Sequence, residues 1–217
     1  MNGILQGLLD LATSFNGMFY IAAFFVGGIP FGYILAKTIG GVNIKEHGSG
    51  NIGATNVLRV LKGRNPKLAK KLGALTLFLD AFKGIAVLLV AIYLGASSDT
   101  LWSIAVFAVL GHCYSPFLGF EGGKGVATAF GVLLILIPKA ALVALATWLL
   151  VAKVIKISSL SALVALVALV ASSQFFYENG LPNIHTFAPL YIIVFIVLYK
   201  HIPNIKRLLK KEETKVA

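Results

Sequence analysis

The feature that most constrains this chain is a succession of apolar runs about as long as a lipid bilayer is thick, separated by short polar connections. A helix needs roughly 20 apolar residues to cross the hydrocarbon core, because every backbone amide must find its partner inside the helix where no water is available. Residues 17–36, 73–95 and 101–118 meet that length. Residues 126–137 and 140–151 are apolar runs of 12 residues each, separated by Pro138 and Lys139. Each covers only roughly 18 Å as a helix. Pro138 removes a helical hydrogen bond and Lys139 needs water or a partner, so two short spans are expected rather than one kinked one. Residues 160–176 and 184–202 complete the set. The expected fold is all-α, a polytopic integral membrane protein of about seven transmembrane helices with the fourth and fifth short, forming a single domain over residues 1–217.

Charge supplies the orientation. Lys and Arg number 19 against 8 Asp and Glu, for a formal net charge of +11, yet only 12% of residues are charged and 58% are hydrophobic. In a soluble protein that excess would suggest nucleic acid; here the basic residues sit between apolar runs, where they act as topology signals and anion contacts, and no nucleic-acid partner is expected. Residues 37–71 carry eight of them and the tail after the last run six more, whereas 95–100 and 174–186 carry none. The bias toward the cytoplasm puts the N-terminus outside and the C-terminus inside, with Lys139 the one exception. Residues 1–16 lack a basic n-region and a small-residue cleavage site, so they read as part of the mature chain rather than as a signal peptide.

Two glycine-rich stretches lie in loops assigned to the cytoplasmic side. The first, Gly48-Ser49-Gly50-Asn51-Ile52-Gly53-Ala54-Thr55-Asn56-Val57-Leu58-Arg59, opens with a literal G-x-G-x-x-G. The dinucleotide fingerprint also needs a preceding strand, and an apolar span precedes it here. Two readings remain: glycines that bring backbone N–H groups to a phosphate, helped by Ser49, Asn51, Thr55, Asn56 and the planar charge of Arg59, or a glycine-rich turn that merely starts a helix. In the second, Gly122-Gly123-Lys124-Gly125 opens a short apolar helix, so amides and the positive end of the helix dipole converge beside an ammonium. Lys124 is followed by Gly125 rather than Ser or Thr, which excludes a nucleotide P-loop. The alternative is an interfacial turn whose lysine touches lipid headgroups.

Other polar groups are sparser. Asp80 and Lys83, at i and i+3 inside an apolar run, suit a structural ion pair. Ser158, Ser159 and Ser161 stand at a helix start, where serines cap. His201, Asn204, Arg207 and Lys211 recur at helical spacing, as a substrate-facing stripe or a basic surface helix. A single cysteine, Cys113, excludes an internal disulfide, and the four scattered histidines make no metal-ligand pair, so neither metal nor cofactor is expected. None of the histidines begins a His-x-x-x-x-Asp pair.

Taken together, the 48–59 block, the Gly122-Gly123-Lys124-Gly125-Val126-Ala127-Thr128 block and the tail with His201, Asn204, Ile205, Arg207 and Leu208 ending near Glu213 resemble the bacterial acyl-phosphate:glycerol-3-phosphate acyltransferase family over almost the whole chain. The stretch 62–71 is longer than the usual connection, and Lys211 stands where a glycine is expected. The resemblance implies a seven-span enzyme of the bacterial inner membrane, with its site at the cytoplasmic face. It acylates position 1 of glycerol 3-phosphate from acyl-phosphate, releases inorganic phosphate, and begins phospholipid synthesis. It further implies that Ser49, Arg59, Lys124, His201 and Asn204 are catalytic. Gly50, Asn51, Gly53, Thr55, Asn56, Gly122, Gly123, Gly125, Ser159 and Ser161 would bind substrate. Membrane lipids surround the chain, and a peripheral acyltransferase supplies the donor. A transporter of phosphorylated solutes is the rival class, since half-helices aimed at anions are a transporter device; the sequence contains no inverted repeat, and its anion motifs all map to one face.

Overall fold

A computed structural model describes residues 2–177 and 186–215. Among them every regular element is helical: α1 Asn2–Thr13, α2 Phe15–Gly28, α3 Phe31–Thr38, α4 Ala54–Lys62, α5 Pro66–Tyr93, α6 Ser98–Cys113, a single 3-10 turn Pro116–Leu118, α7 Val126–Leu136, α8 Pro138–Ile155, α9 Ser158–Phe176, α10 Ala188–Lys200 and α11 Ile202–Leu209. Five stretches are long and apolar enough to cross a membrane, namely Phe15–Thr38, Pro66–Tyr93, Ser98–Leu118, Pro138–Ile155 and Ser158–Phe176; a sixth is the pair α10 and α11, bent by 53° at His201. This is an integral membrane architecture.

Several expected boundaries shift for identifiable reasons. The first span breaks at Ile29 and Pro30, where proline cannot donate to the helix and α3 starts afresh. Of residues 62–71, expected as a connection, Lys62 ends α4 and 66–71 already begin α5: the Asn65 side chain accepts the Leu68 amide at 3.0 Å and Pro66 takes the first helical position, where its missing N–H costs nothing. Pro138 divides two helices as expected and opens the second, and α8 continues through Lys153 to Ile155. The fifth span is therefore not short, at 18 residues; only α7 is, its 11 residues reaching about 16 Å. Lys139 lies at the exposed start of α8 with its ammonium 5.9 Å from the Phe176 ring centre. The start of the expected 184–202 span, including His185, and most of the loop before it lie outside the described residues. α1 had no counterpart among the expected elements, and Ser14 ends it by capping α2 through the Gly17 amide at 3.0 Å.

Helices approach closely where side chains are smallest. A Cβ at Gly27 would overlap the Ala108 carbonyl, and one at Gly111 the Phe24 carbonyl, so α2 and α6 pack backbone to backbone; Gly131 of α7 lies equally close to Ala81 of α5. The main core forms around α6, with Ile104, Val109, Val132, Leu190 and Ile193 fully buried. A second cluster of Ala36, Val42, Ile44, Val57, Leu61 and Leu72 fixes α4 against α3 and α5.

One polar cluster ties these helices together. The Lys83 ammonium donates to Asp80 Oδ1 (2.9 Å) and to His112 Nδ1 (2.9 Å), both buried, and to the half-buried Ile29 carbonyl (2.9 Å). The Ile29 carbonyl is available because the helix stops there, so the break at Pro30 and the buried lysine complement each other. Next to it Ser115 donates to the Gly28 carbonyl at 2.6 Å and Thr128 to the Asp80 carbonyl at 2.8 Å. Removing one partner of a buried pair strands the other charge, at a cost of about 3–5 kcal/mol. Lys83→Met should therefore lower the unfolding temperature of the detergent-solubilised protein sharply, and adding Asp80→Asn should restore part of it; additive losses would mean the two charges are not coupled.

Candidate active site

The glycine-rich loops and the tail meet at one end of the bundle, around a cavity of about 860 Å³. Gly48, Ser49, Asn51, Gly53, Thr55, Asn56, Arg59, Lys124, Gly125, Ser159, His201 and Asn204 all line it, joined by Ser158, Arg207 and Glu213. Its deeper part is an apolar arm between α5, α7, α8 and α9, lined by residues such as Leu77, Phe78, Phe130, Leu145, Trp148 and Leu166. Gly50 and Gly122 face a smaller neighbouring cavity of about 280 Å³, while Gly123 and Ser161 line neither.

The first loop is organised by Asn56. Its buried amide donates to the carbonyls of Ile44 (3.1 Å), His47 (3.1 Å) and Asn51 (2.8 Å), and its oxygen accepts the Ser49 amide at 2.9 Å. A Cβ at Gly48, whose φ is +64°, would overlap that same oxygen. Asn56 thus braces the loop instead of presenting its amide to a ligand. The Gly50 amide bonds the His47 carbonyl and the Gly53 amide bonds Asn51 Oδ1, so these backbone donors are also taken. The expected cradle of loop amides is corrected accordingly: the Asn56 and Val57 amides bond the Gly53 carbonyl, and what is offered is the Ser49 hydroxyl with the Ala54 and Thr55 amides at the start of α4. From α4, Thr55 reaches Ser158 Oγ at 3.1 Å, joining the loop to the start of α9.

The second loop is built on His112. Its carbonyl accepts the Gly123 amide at 3.0 Å, and a Cβ at Gly122 or Gly123 would collide with its backbone or ring. The absence of side chains at these two glycines is thus required by their packing on His112. Gly125, with φ +81°, turns the chain into α7 without a side-chain cap, leaving the first amides of α7 open beside Lys124. Burial, with Arg59 and Arg207 nearby, pulls the Lys124 ammonium down to about 8 despite Glu213. Among the described residues neither Lys124 nor Arg59 has a hydrogen-bond or ion-pair partner, so two cations face the cavity without a direct contact, Lys124 feeling the Glu213 charge only at longer range.

The third wall is a clasp. Glu213 accepts from Ser159 Oγ (2.8 Å), Asn204 Nδ2 (2.6 Å) and Arg207 Nε (2.6 Å). Burial opposes its charge, but those three hydrogen bonds outweigh it and hold the carboxyl below its ordinary range. Nothing in the spacing of the tail marks Glu213 as a joint; its role needed the fold, which brings α9 and α11 to it. The serines do not cap α9, whose N-cap is Ile157. Ser161 bonds the Ile157 carbonyl at 2.8 Å inside its own helix, because two residues beyond Ser159 the chain has turned about 200°, to the other side of the axis. Ser158, one residue earlier, faces the cavity in its place. His201 is fixed by its Nδ1, which donates to the Val197 carbonyl at 2.7 Å; Nε2 is left as the basic atom. Asn204 Oδ1 is buried with no partner among the described residues.

This arrangement has relatives. Residues 17–211 match the family model described as glycerol-3-phosphate acyltransferase. The chain is 59% identical to a glycerol-3-phosphate acyltransferase of Aliarcobacter butzleri, covering 96% of this chain and 100% of the relative, and 57% identical to one of Nitratiruptor sp., again over 96% and 100%. It superposes with a TM-score of 0.82 and 35% identity on the crystal structure of PlsY (YgiH), an integral membrane glycerol 3-phosphate acyltransferase, in its glycerol 3-phosphate form, covering 94% of this chain and 96% of that one. The lysophosphatidic acid form of PlsY matches with a TM-score of 0.79 and 34% identity. The chain belongs to the glycerol-3-phosphate acyltransferase family.

Proposed function

We propose that this acyltransferase moves a fatty acyl group from acyl-phosphate directly onto the 1-hydroxyl of glycerol 3-phosphate, giving lysophosphatidic acid and inorganic phosphate. The observation that carries the reading is the single cavity that joins two unpaired cations to a long apolar arm. Two phosphate-bearing substrates, one with a fatty tail, have that combination of needs. The reading extends to a single domain with seven crossings of a bacterial inner membrane, the N-terminus outside and the site at the cytoplasmic face, where lysines and arginines concentrate. A peripheral acyl-phosphate-producing enzyme would supply the donor from that side.

An acyl-phosphate is a mixed anhydride with a good leaving group, so the protein's task is to hold two anions together and remove one proton. Ser49, Thr55 and the first amides of α4 hold the donor's phosphate; Arg59, Lys124 and Ser159 hold that of glycerol 3-phosphate. Asn204 Oδ1 accepts a hydrogen bond from a glycerol hydroxyl and orients it. The 1-hydroxyl oxygen attacks the carbonyl carbon, the new C–O bond forms, and the C–O bond to phosphate breaks. The hydroxyl proton passes to His201 Nε2 or to the departing phosphate. No acyl-enzyme is formed: Cys113 is buried against Gly125 behind the second loop, the Ser49 hydroxyl has no base bonded to it among the described residues, and Glu213, which accepts the Ser159 hydroxyl, also accepts from Asn204 and Arg207 and is held below its ordinary range, a poor proton acceptor.

The reaction class is tested by following phosphate release from palmitoyl-phosphate with palmitoyl-CoA as the rival donor. Lysophosphatidic acid should appear only with palmitoyl-phosphate; equal use of the thioester would contradict the assignment. Lys124→Ala should raise KM for glycerol 3-phosphate roughly tenfold to a hundredfold, with a smaller change for the acyl donor. Because Lys124 loses its charge as pH rises through about 8, that KM should climb above pH 8. Lys124→Arg, charged at any working pH, should flatten the climb.

A further inference from the structure

The apolar arm has a floor. Along α9 the lining runs Ser158, Ser159, Ala162, Ala165, Leu166 and stops at Leu169; along α8 it runs from Leu149 to Ala141; along α7 it stops at Leu133 and along α5 at Ala81. Residues farther toward the opposite end of these helices do not line the cavity. The stop has a physical cause. Gly131 packs against the Ala81 backbone and Gly84 against Val132, which seals the seam between α5 and α7, and α7 turns into α8 at fully buried Ile137. Ala141 follows one turn later, 1% exposed, with Leu133 at 2% and Leu169 at 4%. Nearer the polar end the walls differ: Leu77, Phe78 and Leu149 are more than half exposed, so the arm opens sideways toward lipid there. From Ser159 to Leu169 the arm is about 15 Å deep.

We infer that Leu133, Ala141 and Leu169 set the longest acyl chain that this enzyme uses efficiently, with Ala141 the position whose small size leaves the room. The inference rests on the reading that the acyl chain of the donor occupies this arm. A chain that reaches the floor gains buried contact with every methylene, whereas a longer one must bend out through the lateral opening and loses it. Enlarging the floor residue should therefore discriminate by length, and truncating Leu169 should do the opposite.

The test is competition among lauroyl-, palmitoyl- and stearoyl-phosphate for the full-length enzyme in a lipidic mesophase, read as kcat/KM for each. Ala141→Phe should lower kcat/KM for stearoyl- and palmitoyl-phosphate about tenfold, while lauroyl-phosphate stays within about twofold. Its lauroyl turnover doubles as the control for folding. Leu169→Ala should raise the stearoyl-to-palmitoyl ratio severalfold, and it decides the question if Ala141→Phe is inactive with every donor. A length profile unchanged in Leu169→Ala, or lowered equally for all donors in Ala141→Phe, overturns the inference while leaving the reaction intact. A wild-type protein that turns over none of the three would instead defeat the functional reading.

Discussion

The Lys83 ammonium is the constraint on which the rest of the molecule depends. A cation in the apolar interior must be fully paired, and the fold supplies a carboxylate from α5, a carbonyl from the broken end of α2 and an imidazole from α6. Each partner carries a consequence. The carbonyl requires the break at Pro30, which redirects the chain toward the first loop. The imidazole belongs to His112, whose own carbonyl holds Gly123 and so positions Lys124 above it. The charge that reaches the substrate cavity is thus supported from below by one that never does.

The site itself is preorganised by groups that do no chemistry. Asn56 gathers the first loop, Glu213 fastens the tail to α9 and α11, and Thr55 with Ser158 links α4 to α9. With so many polar atoms already satisfied, what remains open is small in number and specific in kind: Arg59, Lys124, the Ser49 hydroxyl, His201 Nε2 and Asn204 Oδ1. Cations held in place without partners await anions, and positioning two anionic substrates at fixed distance supplies much of a barrier reduction.

Much of this was legible in the sequence, and what was not fails for definite reasons. Run length located the membrane helices because bilayer thickness imposes it, and the two glycine blocks and the tail marked the cavity's polar end. The start of α5 was readable in Asn65-Pro66, a cap followed by a proline at the first helical position, but the basic residues around it suggested a loop. Pro138 was read as the boundary between two helices and is one; only the length of the second was underestimated, because the apolar run stops before Lys153 and the helix continues through it. Ser159 and Ser161 differ only in which way the helix turns them, which needs the helix start to the residue. Asn56, Glu213 and His112 bond to partners far along the chain or to backbone carbonyls, and no local spacing encodes that.

The central claim is direct transfer between two substrates held together, without an enzyme-bound intermediate. The most direct measurement is phosphate release on a millisecond-to-second scale when the enzyme is mixed with palmitoyl-phosphate alone and then with glycerol 3-phosphate. The account predicts no release before the acceptor is added, and afterwards one phosphate for each lysophosphatidic acid. A burst equal to the enzyme concentration in the absence of glycerol 3-phosphate would mean that the acyl group first moves to the protein, and would contradict it.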